Sequence, residues 1–188
     1  RYPDKYFDLA VVDPPYGINI NMNMGRRAGK AKAHDDKKWD SSAPDQKYFD
    51  ELFRVSKFQI IWGGNYFGLP NTSSWIFWNK CVPDGVDFAD GELAWTSGDK
   101  TLKMATIPYS GFRGSEGKIH PTQKPVALYD WIYKNYLPNG GKVIDTHLGS
   151  GSNRIAADKA GNIDFVGFEL DKDYYEAQEK RWKAFISQ

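Results

Sequence analysis

Two turns in this sequence carry residue types that can do chemistry. The first is DPPYG, Asp13 to Gly17. Its consecutive prolines, Pro14 and Pro15, fix the backbone, remove two amide donors and leave outward-facing carbonyls. Asp13 adds a carboxylate acceptor and Tyr16 a flat stacking face. Such a set is an acceptor-rich clamp for an amino group on a planar ring; alone, it is also readable as a sharp turn with a solvent-facing aspartate. The second turn is DTHLGSGSN, Asp145 to Asn153, where Gly149 and Gly151 let a ligand approach the backbone closely. Eighteen residues after Gly151 stands Glu169, whose carboxylate can accept both hydroxyls of an adenosine ribose. GxG turns are common, and this one taken alone is equally a plain structural turn. Nicotinamide dinucleotide is disfavoured, because Arg154 stands where GxGxxG requires its third glycine.

Both turns follow apolar runs that must position them. FDLAVV, Phe7 to Val12, predicts a buried strand that stops at Asp13. Pro44 to Lys57 carries Phe49, Leu52 and Phe53 at helical spacing and predicts a helix. A second parallel strand is expected over Phe58 to Trp62, closed by Gly63, Gly64 and Asn65. Residues 75–79 and 92–96 predict two further, mutually paired strands. Pro125 opens an amphipathic helix with Val126, Tyr129, Ile132, Tyr133 and Tyr136 on one face, stopped by Pro138, Asn139 and Gly140. The last third predicts a β-α-β-α unit: strand Lys142–Asp145, turn His147–Gly151, helix Asn153–Ala160, strand Ile163–Glu169 and helix Asp173–Ile186. Asp173 and Glu176 suit a capping box, and Tyr175, Trp182, Phe185 and Ile186 fall on one face of that last helix. Alternating strands and helices imply an α/β fold, a mostly parallel sheet with helices on both faces, in which ligands sit at the carboxyl ends of the strands.

The composition bounds the setting. With 188 residues, 40% of them hydrophobic, one domain spanning the whole chain is expected at ~150 residues per domain. The lone cysteine, Cys81, excludes a disulfide framework and any multi-cysteine zinc site, and the metal reading has no support. A nucleophilic role for Cys81 would need a Pro-Cys context, and residue 80 is lysine. Without a signal peptide or an apolar run near ~18 residues, a reducing, cytoplasmic setting with no membrane partner is expected. The first residue is Arg1, so a missing N-terminal piece is expected. His34 is expected to be exposed and His120 to orient its turn. Aromatics make up 15% of the chain, more than one core needs, so some are expected to face a ligand. The net charge of +1 argues against a partner held by overall positive potential, but charge is unevenly placed. Within residues 20–45, Arg26, Arg27, Lys30, Lys32, Lys37 and Lys38 outnumber the acids and form a basic loop. It is a candidate phosphate contact and, taken alone, equally a solvated connector.

Here a family resemblance becomes specific. DPPYG after an apolar strand resembles the catalytic motif of amino-group DNA methyltransferases. DTHLGSGSN with FVGFELDKDYYEAQEKR resembles their S-adenosylmethionine motif and the acidic strand after it, and HPTQKPVALYDWIYKNY resembles the segment that precedes the cofactor motif. The catalytic motif comes first and the cofactor motif last, similar to the circularly permuted beta group. FQIIWGGNYFGLPNTSSWIFWNK and ELAWTS resemble the phage and restriction-modification branch. The resemblance implies a Rossmann-like S-adenosylmethionine-dependent fold with Asp13, Pro14, Pro15 and Tyr16 as the catalytic set. Cofactor binding would fall to Asp13, Thr122, Lys124, Asp145, His147, Gly149, Ser150, Gly151, Ser152, Asn153 and Glu169. It implies adenine N6 in double-stranded DNA as the target. Cytosine N4, a non-catalytic DNA-binding subunit, and an RNA or protein methyltransferase are the alternatives, and a homodimer or a cognate restriction enzyme are further partners left open. Two departures stand out. The target-recognition insertion, residues 80–118, is short, and His147 replaces the family's usual phenylalanine. A protonated imidazole beside a sulfonium would repel it, so cofactor binding is expected to weaken below about 6.5, the ordinary histidine value.

Overall fold

The computed structural model describes residues 2–18, 42–85, 88–109, 119–120 and 122–187. Strand β1, Phe7–Val12, is an inner strand of the sheet, flanked in parallel by β2, Ser56–Trp62, and β6, Gly141–Asp145. β7, Ile163–Gly167, adds a further parallel strand beyond β6. On the other side, β4, Gly91–Thr96, runs antiparallel to β2 and to β3, Trp75–Asn79, and β5, Lys103–Thr106, closes the sheet parallel to β3. The seven strands are ordered β5-β3-β4-β2-β1-β6-β7, a mostly parallel sheet.

The core forms because β1 is apolar on both faces. Leu9 and Val11 join Ile60, Trp62, Ile76 and Val143 in one cluster, covered by helices α2, Val126–Tyr136, and α3, Ser152–Ala160. Ala10 and Val12 point the other way, where Phe49, Leu52 and Val55 of helix α1, Gln46–Val55, complete a second cluster. Burying both faces of one strand in this way is what a parallel crossover sheet requires. Helix α4, Lys172–Ile186, adds Trp182 and Phe185 to the first cluster.

Several expectations need correction. β2 begins two residues earlier than expected, at Ser56, and β7 ends at Gly167, so Glu169 stands in the turn beyond the strand. The cap of α4 is Asp171, whose carboxylate accepts the amides of Asp173 and Tyr174, in place of an Asp173–Glu176 box. Tyr175 and Ile186 are about half exposed; the inner face of α4 instead buries Gln178 completely. β4 and β5 lie within the stretch 80–118 and are integral strands of the sheet. The basic loop residues Arg26, Arg27, Lys30, Lys32, Lys37 and Lys38, and His34, lie outside the described residues. Among the described residues no helix is long and apolar enough to cross a membrane.

Candidate active site

Because β1 and β6 are parallel neighbours, the two chemically suggestive turns emerge side by side at the carboxyl edge of the sheet. They open onto one cavity of about 340 Å³. Asp13 to Tyr16 form one wall and Thr146 to Ser150 the facing one. Glu169 to Asp171 and Tyr174 close the β7 side, while His120 and Thr122 to Lys124 cover it from the segment before α2. Glu92, at the start of β4, completes the lining because that antiparallel strand begins where β2 ends.

Asp13 is held on both oxygens. The Tyr16 hydroxyl donates to Oδ1 at 2.9 Å, and the Lys124 ammonium donates to Oδ2 at 2.5 Å. Lys124 also pairs with Glu92 at 3.1 Å, and Glu92 pairs with Lys80 at 2.5 Å. Burial pushes the Asp13 carboxyl up and the Glu92 charge adds to this, while Lys124 opposes it. Burial would lower Lys124, but the two carboxylates outweigh it and raise it, so it stays an ammonium. The Tyr16 phenol is raised by burial first and by the Asp13 charge second, which keeps it a donor. Its ring is stacked on Tyr66 at 5.0 Å and edge-on to Phe67, so one face is already covered.

The glycine turn is built by backbone and carboxylate together. Gly149 adopts φ 50°, and its amide donates to Glu169 Oε2 at 2.8 Å; the other Glu169 oxygen accepts the Asp171 amide at 2.9 Å. Each carboxylate oxygen keeps lone-pair capacity beside the cavity. His147 packs edge-on against Tyr48, with Nδ1 3.0 Å from the Thr146 hydroxyl. Burial lowers its imidazole from 6.5 to about 4. The imidazole is therefore not expected to charge near 6.5, because packed against Tyr48 it loses the hydration its charge needs.

Of the residues expected to bind a cofactor, Asp13, Thr122, Lys124, His147, Gly149, Ser150 and Glu169 line this cavity. Asp145, Gly151, Ser152 and Asn153 stand behind its wall. Asp145 accepts the His147 amide at 3.0 Å and the Asn153 amide group at 2.9 Å, and Asn153 in turn accepts from the Tyr133 hydroxyl of α2 at 2.5 Å. Arg181 of α4 donates to the Ser150 carbonyl and the Ser152 hydroxyl, both at 2.8 Å. Gly151 sits at φ 73°, where a β-carbon would press on Gln178. These four shape the turn from behind. Sequence reasoning passed over Glu92, Tyr129, Leu170 and Tyr174, which do line the cavity. The available signal for Glu92 was a lone carboxylate opening an otherwise apolar strand.

Residues 61–180 match the DNA methylase family model N6_N4_Mtase. YubD of Escherichia coli (strain K12), a candidate methylase by name, is 24% identical across 97% of this chain and 85% of its own length. The type II methyltransferase M.HinfI of Haemophilus influenzae is 26% identical, covering 95% of this chain, which spans 64% of M.HinfI. In fold, the M1.HpyAVI–SAM complex superposes with a TM-score of 0.59 at 18% identity, covering 94% of this chain and 89% of that one. The cytosine-N4-specific PvuII DNA methyltransferase gives 0.59 at 13% identity, covering 99% and 85%. The family match takes in β4, the segment before α2, and both the glycine turn and Glu169. With that span covered, this chain belongs to the N6/N4 DNA methylase family.

Proposed function

We propose that the chain binds S-adenosylmethionine and transfers its methyl group to the exocyclic N6 of adenine in double-stranded DNA. The observation that carries this reading is the shared cavity: the acceptor turn at Asp13 and the glycine turn held by Glu169 face the same space. Its volume, about 340 Å³, lies within the range of small-molecule sites, about 300–1,000 Å³. The donor set fits the cofactor. Glu169 retains lone pairs for ribose hydroxyls, Leu170 offers an apolar side chain for a purine face, and Thr122 and Ser150 supply hydroxyls for the polar end.

When bound, the cofactor supplies an electrophilic methyl group on a sulfonium. The chain's own residues prepare the nucleophile. An exocyclic amino nitrogen delocalises its lone pair into the ring. Hydrogen bonds from its N–H groups to Asp13 and the Pro14 carbonyl favour a pyramidal nitrogen with that lone pair directed outward. Tyr16 and Lys124 occupy one lone-pair direction on each Asp13 oxygen, which fixes the carboxylate plane and leaves capacity for the amino group. Positioning and preorganised electrostatics then supply the rate without a covalent enzyme intermediate. The base must leave the duplex to enter the cavity; the Tyr16 ring, which lines the cavity, is the aromatic surface we assign to it.

Membership of the DNA methylase family supports the reaction class. A neighbour solved with SAM supports the cofactor, and the type II name of M.HinfI supports a restriction-modification setting. DPPY favours adenine, and the order of catalytic turn before cofactor turn favours the permuted beta arrangement. The test is mass spectrometry of nucleosides from DNA of an expressing host otherwise free of methylated bases. N6-methyladenine is expected, and N4-methylcytosine in its place would reassign the target base. Asp13→Ala is expected to lower the transfer rate by at least about a hundredfold, the scale for losing one preorganised hydrogen-bonding group, while DNA affinity is largely kept. Transfer by Asp13→Ala at near wild-type rate would sink the mechanism.

A further inference from the structure

We propose that Glu92 is a positioning residue for methyl transfer: it holds the Lys124 ammonium between two carboxylates and thereby sets the charge that Asp13 presents to the target amino group. The inference rests on the role given to Asp13 above. Its basis is a line of alternating charges running from the far wall of the site to its reacting end. Lys80 Nζ lies 2.5 Å from Glu92 Oε1, Lys124 Nζ lies 3.1 Å from Glu92 Oε2 and 2.5 Å from Asp13 Oδ2, and the Tyr16 hydroxyl ends the line on Asp13 Oδ1.

Each cation also rests on aromatic ground. Lys124 stands 5.1 Å from the centre of the buried Trp62 ring, and Lys80 lies 5.2 Å and 5.6 Å from the rings of Trp78 and Tyr109. The Lys124 side chain is only 3% exposed, so its ammonium has almost no water and depends on the two carboxylates. Two lysines and two acids make the group neutral, and removing one member strands a buried charge.

The chemical consequence follows from how one cation is shared. Paired with Lys124 alone, Asp13 would spend its negative charge on that ammonium and accept weakly from a substrate N–H. Glu92 draws part of the cation's field to the other side, which leaves Asp13 the stronger acceptor. Lys80 anchors Glu92 so that it does not move in and displace Asp13. Among the described residues, Tyr16, Tyr48, Tyr129 and Asp145 also act electrostatically with Asp13. Burial raises all three phenols, so they stay neutral. Glu92 and Asp145 are the neighbouring acids, and of these only Glu92 touches Lys124.

The arrangement makes opposite demands on two substitutions. Glu92→Gln removes a negative charge near Asp13, so the Asp13 carboxyl must titrate at lower pH. Lys80→Met removes the cation that restrains Glu92 and lies outside the cavity lining, so Asp13 loses part of its share of Lys124 and must titrate at higher pH. The experiment is carbon NMR titration of the full chain carrying carboxyl-labelled aspartate, with the Asp13 signal assigned by its loss in Asp13→Asn. It is paired with pH profiles of kcat for methyl transfer. For Glu92→Gln, kcat is expected to fall about tenfold or more, with KM for the cofactor changed less than about threefold, and the acid limb moved with the Asp13 titration. Asp13 signals that stay put in both variants, or move the same way in both, overturn the proposal. If Glu92→Gln does not fold, Lys80→Met decides by its direction alone. The titration is read without DNA. A wild-type protein that methylates no base would therefore overturn the proposed function, while the titration would still decide whether Glu92 governs Asp13.

Discussion

Asp145 and His147 stand two residues apart in the glycine turn, and burial moves them in opposite directions. It pushes the Asp145 carboxyl up to about 7 and the His147 imidazole down to about 4. Between about 4 and 7 the folded protein holds a proton on Asp145 that the unfolded chain releases, so this residue's stabilisation is lost as pH rises through that window. His147 behaves inversely: the unfolded chain binds a proton below about 6.5 that the fold excludes, so stability is lost as pH falls from there towards about 4. The melting temperature of His147→Phe should therefore gain on the wild type as pH drops from about 6.5 to 4.5, and that of Asp145→Asn should gain as pH rises from about 5 to 8. Thermal unfolding at several pH values checks both; parallel curves for wild type and variants would show that each group titrates in the fold as it does in the unfolded chain. His147 should contribute no change in cofactor affinity from about pH 8 to 5, so wild type and His147→Phe should share one pH profile there. At this scale the sequence was legible where chemistry lies in a local motif: Asp13, Gly149 and Glu169 are found where a turn and a spacing point. Glu92 was not, because its partners Lys80 and Lys124 come from other parts of the chain, and a lone carboxylate opening an apolar strand does not by itself say that it is buried and paired.

The turn after β2 shows how an element can serve a side chain in another turn. Gly63 adopts φ 65°, and a β-carbon there would lie 2.1 Å from the ring of Tyr16. The glycine is needed both for the left-handed backbone and for the space into which Tyr16 stacks on Tyr66. Gly63→Ala should cost about 1–2 kcal/mol for the backbone alone and displace Tyr16 from Asp13, lowering both melting temperature and kcat. Gly85 is the control: its φ is 77°, but no described atom lies within 4 Å of an added β-carbon, so Gly85→Ala should lose only the backbone share and keep kcat. Equal kcat values for the two variants would show that Tyr16 does not need this pocket. The element pattern was readable from the apolar periods of β1, β2, α2 and the last β-α-β-α unit. β5 escaped because only Ala105 of its four residues is buried, which leaves no alternation to see. The face of α4 was read in part: Trp182 and Phe185 pack on the core as expected, but Tyr175 and Ile186 are exposed, and the fully buried residue is Gln178, a polar side chain that hydropathy places outside.

For the whole molecule, the question is how a chain of net charge +1 would hold a polyanion at this cavity. The answer we favour is local concentration of charge. Six lysines and arginines fall within residues 26–38, against Asp35 and Asp36. In sequence, the segment that carries them lies between the DPPYG turn and α1. Its two ends meet: a β-carbon on Gly17 would stand 2.7 Å from the Ala43 amide nitrogen. The stretch that carries the basic residues is thus joined to the fold at both ends beside the acceptor turn. If they neutralise phosphates, each contact releases counterions and contributes about 0.9 to the slope of log affinity against log salt. Replacing Arg26, Arg27 and Lys30 together by Ala should therefore flatten that slope by up to about 2.7 and weaken binding to all sequences alike. Melting curves of the triple variant, measured alongside, separate a loss of phosphate contacts from a loss of fold. Fluorescence anisotropy with cognate and unrelated duplexes across a salt series makes the measurement. An unchanged slope would leave the segment a solvated connector and place the phosphate contacts elsewhere. A loss confined to one duplex would make these residues readers of sequence instead of backbone.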